Sequence, residues 1–215
     1  GVRFGLLDSK NSNPEVIELH KRLKEIVNSL GGEVILINDE RDYPGDDESY
    51  VLLFEFRVGL EEYLKNSNSS MKKLTDIIDF NNANKDIVMP YFGQEIFYKS
   101  IESTSYLKYF WSKYKIYKSY KSTKDLIDEY DLDAFIGLTR GPAWKINYDG
   151  GDNVAMSNPL EFSSGGYAAH NGMPHITIPY FEINNFPVGI SIIGDRWSDK
   201  AIIEYASAIE KSRYN

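Results

Sequence analysis

Val2-Arg3-Phe4-Gly5-Leu6-Leu7, then Asn13-Pro14, then Gly31-Gly32-Glu33-Val34-Ile35-Leu36-Ile37 are the residues on which the fold turns. The first is a short apolar run bounded by glycine, the pattern of a buried strand. Asn13 offers a side-chain oxygen to first-turn amides, and Pro14 is preset for the first helical position. Val16, Leu19, Leu23, Ile26, Val27 and Leu30 then recur at helical spacing until Gly31-Gly32 stops the helix. Residues 33–37 read as a second strand. Strand, helix and strand within about 35 residues predict a parallel pair joined by a right-handed crossover, and so an α/β fold.

Outward from that unit, residues 46–65 carry Tyr50, Leu53, Phe54, Val58, Leu60 and Leu64 among acidic residues and predict a surface helix. Residues 75–84 and 91–102 predict shorter helices. Between 104 and 130, Tyr106, Phe110, Tyr114 and Tyr117 fall on one helical face, among six lysines between 108 and 124. Aromatics interleaved with lysines can stack bases, but the favoured reading is an aromatic stripe facing the core with the lysines in water. Strands are predicted at 134–138, 175–179 and 187–194, with a Gly-, Asn- and Ser-rich stretch at 139–172. A closing helix from Ser198-Asp199 turns Ile202, Tyr205, Ala206 and Ile209 inward and ends in Lys211 and Arg213, as the helix dipole prefers. No repeat or linker breaks the chain, so residues 1–215 are expected to form a single α/β domain.

Composition removes whole classes of chemistry. The 215 residues include no cysteine, which excludes disulfides, thiolate metal sites and a cysteine nucleophile. Three histidines (His20, His170, His175) argue against a histidine-built metal centre, and no cofactor is expected. A formal charge of −8 argues against a dedicated nucleic-acid partner. No apolar run approaches the roughly 20 residues needed to span a bilayer. Gly1 opens directly into a strand, without a targeting segment, so the expectation is a cytoplasmic protein whose chain begins inside a larger one.

Three clusters invite a chemical reading. Asp8-Ser9-Lys10-Asn11 after the first strand lacks the glycines of a phosphate cradle. Ser163-Ser164-Gly165-Gly166 has the look of a nucleophile beside oxyanion amides, but a serine needs a base. His170 lies about two helical turns on and no acidic orienter is evident, so tight helix packing is the favoured reading. Asp149 and Asp152 around Gly150-Gly151 could hold a hard cation, although a polar turn explains them as well.

The last 80 residues or so form an ordered series: Leu132-Asp133-Ala134-Phe135-Ile136, Thr139, Gly141-Pro142-Ala143-Trp144, Gly151-Asp152, Ser163-Ser164, Ala168-Ala169, Gly172-Met173-Pro174, Ile176-Thr177-Ile178-Pro179, Phe186-Pro187-Val188-Gly189-Ile190-Ser191, Gly194 and Trp197-Ser198. This series resembles the C-terminal part of the amidase signature family, serine hydrolases of amide C–N bonds. Gly1-Val2-Arg3-Phe4-Gly5 resembles the strand opening that family's C-terminal half, while Leu74–Asn81 and Phe92-Gly93-Gln94-Glu95 resemble its middle helices. The resemblance implies a mixed, largely parallel sheet flanked by helices. It also implies a nucleophilic serine, a second serine on a cis peptide and a lysine base, in a glycine-rich N-terminal half to which nothing here corresponds.

The implied object is therefore a truncated amidase, inactive alone. Its partners would be the missing N-terminal half and a small-molecule amide. No catalytic residue carries over; Thr139, Arg140, Gly141, Pro142, Trp144, Asp152 and Glu161 are the candidate pocket residues. Arg140 departs from the small or neutral residue usual after that threonine, and Glu161 lies near an acidic amine-reading position in amidotransferase relatives without matching it. The alternatives are a non-catalytic binding domain and a fragment of a glutamyl-tRNA(Gln) amidotransferase A-type subunit. A halved sheet is further expected to self-associate through an exposed edge.

Overall fold

The computed structural model describes residues 1–8, 10–39, 43–149 and 162–214. The chain forms β1 (Arg3–Leu6), α1 (Pro14–Ser29), β2 (Glu33–Leu36), α2 (Gly45–Asn66), α3 (Leu74–Ala83), α4 (Lys85–Val88), α5 (Glu95–Glu102) and α6 (Tyr106–Tyr130). There follow β3 (Ala134–Leu138), α7 (Gly165–Asn171), β4 (His175–Ile183), β5 (Phe186–Ile193) and α8 (Asp199–Ser212). The Asn13 side chain accepts from the Glu15 amide at 2.9 Å, as the sequence indicated for the start of α1.

The described residues group into two compact units. One lies within Gly1–Asp42, Lys118–Trp144 and Asn158–Asn215, the other within Tyr43–Tyr117 and Lys145–Ser157. The first carries a five-stranded sheet in the order β2-β1-β3-β5-β4. β1 pairs in parallel with β2 and β3, whereas β5 pairs antiparallel with β3 and β4. Four strands thus run one way and β5 alone runs back: the sheet is mixed and largely parallel.

The hairpin between β4 and β5 explains why β4 runs on to Ile183, past the predicted end at Pro179. Ile183 faces Phe186 across Asn184 and Asn185, whose φ values of 52° and 65° are those of a type I′ turn. Pro179 is tolerated because β4 is an edge strand, and its register shifts between Pro179 and Phe181.

One face of the sheet is apolar from edge to edge. Phe4, Leu6, Val34, Ala134, Ile136, Leu138, Val188, Ile190 and Ile192 meet α1 and α8 there. Burying each Leu, Ile or Val contributes about 1.5–3 kcal/mol, so this layer is the main source of stability in the unit. The other face is apolar only in part: Leu7, Ile37, Phe135 and Ile193 pack with Ile127 and Leu132 from the end of α6 and its exit, and with Ala168 of α7. Arg3 fastens the strand ends, donating to Glu33 Oε2 at 2.9 Å and to the carbonyls of Tyr130 and Asp131 at 3.1 and 3.0 Å.

The second unit is helical, with Tyr50, Val51, Phe54, Leu64, Leu74 and Ile78 buried. Tyr109 of α6 stacks on Phe54 at 4.4 Å between centroids. Asp76 in the first turn of α3 accepts the backbone amides of Lys72 and Lys73 at 2.7 and 3.0 Å, and these bonds hold its carboxyl below the ordinary carboxylate range.

The aromatic stripe of α6 is reversed relative to the sequence expectation. Tyr106, Phe110, Tyr114 and Tyr117 are all more than half exposed. The fully buried side chains of this helix are Ser112 and Thr123. Both have their hydroxyls satisfied on the packed side: Ser112 donates to Asp47 at 2.7 Å and Thr123 donates to the Ser119 carbonyl at 3.0 Å. Small hydroxyl residues allow close packing at these two points, and Leu126 and Ile127 are buried on the same helix, whereas the four rings of the expected stripe stay exposed. Among the described residues, no helix is long and apolar enough to cross a membrane.

Candidate functional site

The predicted pocket turn begins where β3 ends, at the strand's carboxyl terminus, which is where open α/β sheets place ligands. The Thr139 amide donates to the Gly189 carbonyl at 2.8 Å, extending β3 by one residue along β5. The chain then leaves the sheet. Arg140 bridges antiparallel to Ser163, the Gly141 amide donates to the Phe162 carbonyl at 3.2 Å, and the Ser164 amide donates to the Thr139 carbonyl at 3.0 Å. Pro142 is buried and Trp144 half-buried. The Arg140 guanidinium lies 5.5 Å from the centroid of the Trp144 ring, a cation–π pair on an otherwise exposed arginine.

The structure therefore brings Thr139, Arg140, Gly141, Pro142 and Trp144 together in one turn. Asp152 and Glu161, with Gly150-Gly151, lie outside the described residues. Asp149 is exposed in a turn where its own amide donates to Asn147 Oδ1 at 3.0 Å. Among the described residues no group of three His, Asp or Glu side chains could hold a metal ion.

Ser164 is 1% exposed and donates to the Leu138 carbonyl at 2.7 Å, which fits the packing reading of the Ser-Ser-Gly-Gly stretch. Gly137 belongs to the same contact, because a β-carbon on it would lie 2.8 Å from Ser164 Oγ.

A feature not foreseen from sequence lies beside Thr139. On this face of the sheet, β3, β5 and β4 place Gly137, Ser191 and Thr177 in one row across the strands. The Ser191 hydroxyl donates to Thr139 Oγ1 at 2.9 Å, and Thr139 Oγ1 lies 3.4 Å from Thr177 Oγ1. His175 Nε2 is 2.8 Å from Ser191 Oγ and 3.3 Å from Thr177 Oγ1. Gly189 makes this closure possible, since a β-carbon there would meet Thr139 Oγ1 at 2.8 Å and Thr177 Cγ2 at 2.7 Å. Burial holds the His175 imidazole below its ordinary pKa. The signal in the sequence was Ser191, a lone hydroxyl inside Ile190-Ser191-Ile192-Ile193, where a sheet core offers no reason for one.

Known proteins share this architecture. The crystal structure of PAM12A overlays the entire chain with a TM-score of 0.89 and 26% identity, and the chain covers 44% of it. Native peptide amidase from Stenotrophomonas maltophilia does so with a TM-score of 0.82 and 25% identity, the chain covering 43% of it. A bacterial aryl acylamidase of the amidase signature enzymes shares the fold, with a TM-score of 0.70 at 17% identity over 99% of this chain and 44% of that one. The whole chain has the fold of these amidases, in line with its resemblance to the amidase signature family.

In sequence, a 45-residue segment of this chain is 47% identical to the A-type subunit of glutamyl-tRNA(Gln) amidotransferase from Thermotoga maritima, which is 20% of this chain and 10% of that protein. No family model matches the chain. The chain spans less than half the length of the solved amidases it overlays, and the matched segment a tenth of the amidotransferase protein.

Proposed function

We propose that this chain is the C-terminal, substrate-pocket-forming part of an amidase that hydrolyses amide C–N bonds, with the serine, cis-serine and lysine supplied by polypeptide outside it. The observation that carries the reading is the coverage: the whole chain overlays peptide amidases, yet accounts for only 44% and 43% of two of them. Within that frame the Thr139–Trp144 turn lines the pocket; Asp152 and Glu161, the other two candidates for it, lie outside the described residues. The substrate is a small-molecule amide, and the partner is the N-terminal half of the same enzyme. Alone, the chain is inactive: Ser164, the buried serine of the Ser163-Ser164-Gly165-Gly166 stretch, already donates its proton to the Leu138 carbonyl. The fragment self-associates through the unpaired edges at β2 and β4.

A fluorophosphonate probe tests this directly. The chain alone stays unlabelled, whereas a polypeptide joining it to an upstream glycine-rich serine segment is labelled on that segment and releases product from peptide amides. Labelling of Ser163 or Ser164 in the isolated chain overturns the reading. The local identity to the amidotransferase protein supports a second reading, in which the joined polypeptide releases ammonia from glutamine. Glutamine and peptide amides as parallel substrates separate the two.

A further inference from the structure

We propose that His175 is a positioning residue for the amide substrate, acting through Ser191 to fix which way the hydroxyls of Thr139 and Thr177 point. The proposal rests on the reading of the Thr139–Trp144 turn as pocket lining and adds to it the group that makes Thr139 selective.

Proton counting carries the argument. Ser191, Thr139 and Thr177 each own one hydroxyl proton, and neutral imidazole owns one N–H. Ser191 is fully buried, so both of its short contacts, 2.8 Å to His175 Nε2 and 2.9 Å to Thr139 Oγ1, need a proton between the heavy atoms. Only two directions satisfy them. With the proton on Nε2, His175 donates to Ser191, Ser191 to Thr139 and Thr139 to Thr177, which leaves the Thr177 proton for a ligand. With the proton on Nδ1, Ser191 donates to Nε2 and Thr139 to Ser191, and the Thr177 proton has acceptors inside the series, Thr139 Oγ1 at 3.4 Å and Nε2 at 3.3 Å, so that Thr177 offers a ligand its lone pair. The hydroxyls of Ser191 and Thr139 must turn together, because neither has a second proton.

His175 and Thr177 are exposed and Thr139 half-buried, so the outer end of this series meets whatever enters beside the Thr139–Trp144 turn. An amide presents a carbonyl lone pair on one side and an N–H on the other. The direction of the series therefore decides which side of a carboxamide is held. The structure orients Ser191 toward Thr139 and Thr139 toward Thr177, the Nε2–H direction, in which the pocket donates to the amide carbonyl.

Two measurements test this. In the 215-residue chain, nitrogen-15 NMR of the imidazoles should show His175 as the Nε2–H tautomer; the Nδ1–H tautomer, or an even mixture, overturns the proposal and requires no variant to fold. In the polypeptide joined to its upstream half, His175→Leu should raise KM for amide substrates about tenfold with kcat within about twofold, the size expected for one misdirected hydrogen bond. His175→Gln, which keeps an N–H donor, should restore KM. An unchanged KM in the leucine variant, or equal KM in both variants, overturns the positioning role while leaving the amidase reading intact. Absence of amide hydrolysis by the unsubstituted joined polypeptide overturns that reading instead, and the tautomer measurement then judges the hydroxyl series by itself.

Discussion

Ser164 donates its hydroxyl proton to the carbonyl of Leu138 across 2.7 Å, in a side chain that is 1% exposed. The bond joins the entry of α7 to the end of β3, immediately before the pocket turn. It also decides between two readings of the Ser163-Ser164-Gly165-Gly166 stretch. A nucleophile needs an accessible oxygen and a base to take its proton; Ser164 has a buried oxygen and a carbonyl.

Ser164→Ala should therefore act on stability. It leaves the buried Leu138 carbonyl without this donor, at a cost of about 1–3 kcal/mol. Urea unfolding monitored by circular dichroism reads the change as a lower midpoint at constant slope. A midpoint equal to that of the unsubstituted chain would show that the bond carries no weight and reopen the question of what Ser164 is for.

Gly189→Ala should be more damaging than its single methyl group suggests. The new carbon would meet Thr139 Oγ1 at 2.8 Å and Thr177 Cγ2 at 2.7 Å, so the two threonines must part. Overpacking of this kind costs about 1–3 kcal/mol. The loss should appear together with a change in the His175 imidazole resonances, since the contact between Thr139 and Thr177 closes the hydroxyl series. A stability loss with unmoved His175 resonances would separate the packing from the hydrogen bonds.

The pH dependence of folding follows from His20. This side chain is a buried residue of α1, and among the described residues its Nε2 has no hydrogen-bond partner. Burial lowers its pKa below the ordinary histidine value, against a weaker opposing pull from the Asp8 carboxylate. The unfolded chain therefore binds a proton more readily than the folded one, and stability rises with pH across the gap. Stability should be intact above about pH 6.5 and fall as the pH drops from there through the lowered folded value. His175, also lowered by burial, contributes in the same direction. Urea midpoints for His20→Leu should fall less between about pH 7.5 and about pH 5.5 than those of the unsubstituted chain. Parallel curves would remove His20 as a cause.

Periodicity made the sheet legible and left part of its surface unread. The βαβ unit was visible because Val16, Leu19, Leu23 and Val27 recur at helical spacing between two apolar runs, and all four are buried against the sheet. The I′ hairpin at Asn184-Asn185 was not read, because Pro179 masked the continuation of β4. The face of α6 was misread from hydrophobicity because its packed positions mix Tyr109, Leu126 and Ile127 with Ser112 and Thr123, whose hydroxyls are satisfied by Asp47 and a backbone carbonyl. The Thr139–Trp144 turn was singled out through resemblance rather than periodicity. The hydroxyl series beside it depends on strand register: Thr139, Thr177, Ser191 and His175 are up to 52 residues apart in sequence and meet only when β5 lies between β3 and β4.

Association of the isolated chain is the remaining consequence, and two surfaces compete to cause it. The sheet ends in β2 on one side and β4 on the other, and unpaired strand edges template pairing. The second surface is the α6 stripe, where Leu107, Phe110, Trp111 and Tyr114 are each more than half exposed at i, i+3, i+4 and i+7 spacing. Light scattering at rising concentration should show the chain leaving the monomeric state. The double variant Phe110→Glu with Trp111→Glu replaces two rings by like charges and leaves the strand edges untouched. If edge pairing dominates, as the proposed fragment predicts, the variant should associate as the unsubstituted chain does, and Ile176→Lys on β4 should suppress association instead. If the α6 variant alone restores a monomer, the edge is not the cause. A chain that stays monomeric without substitution would dispose of both surfaces.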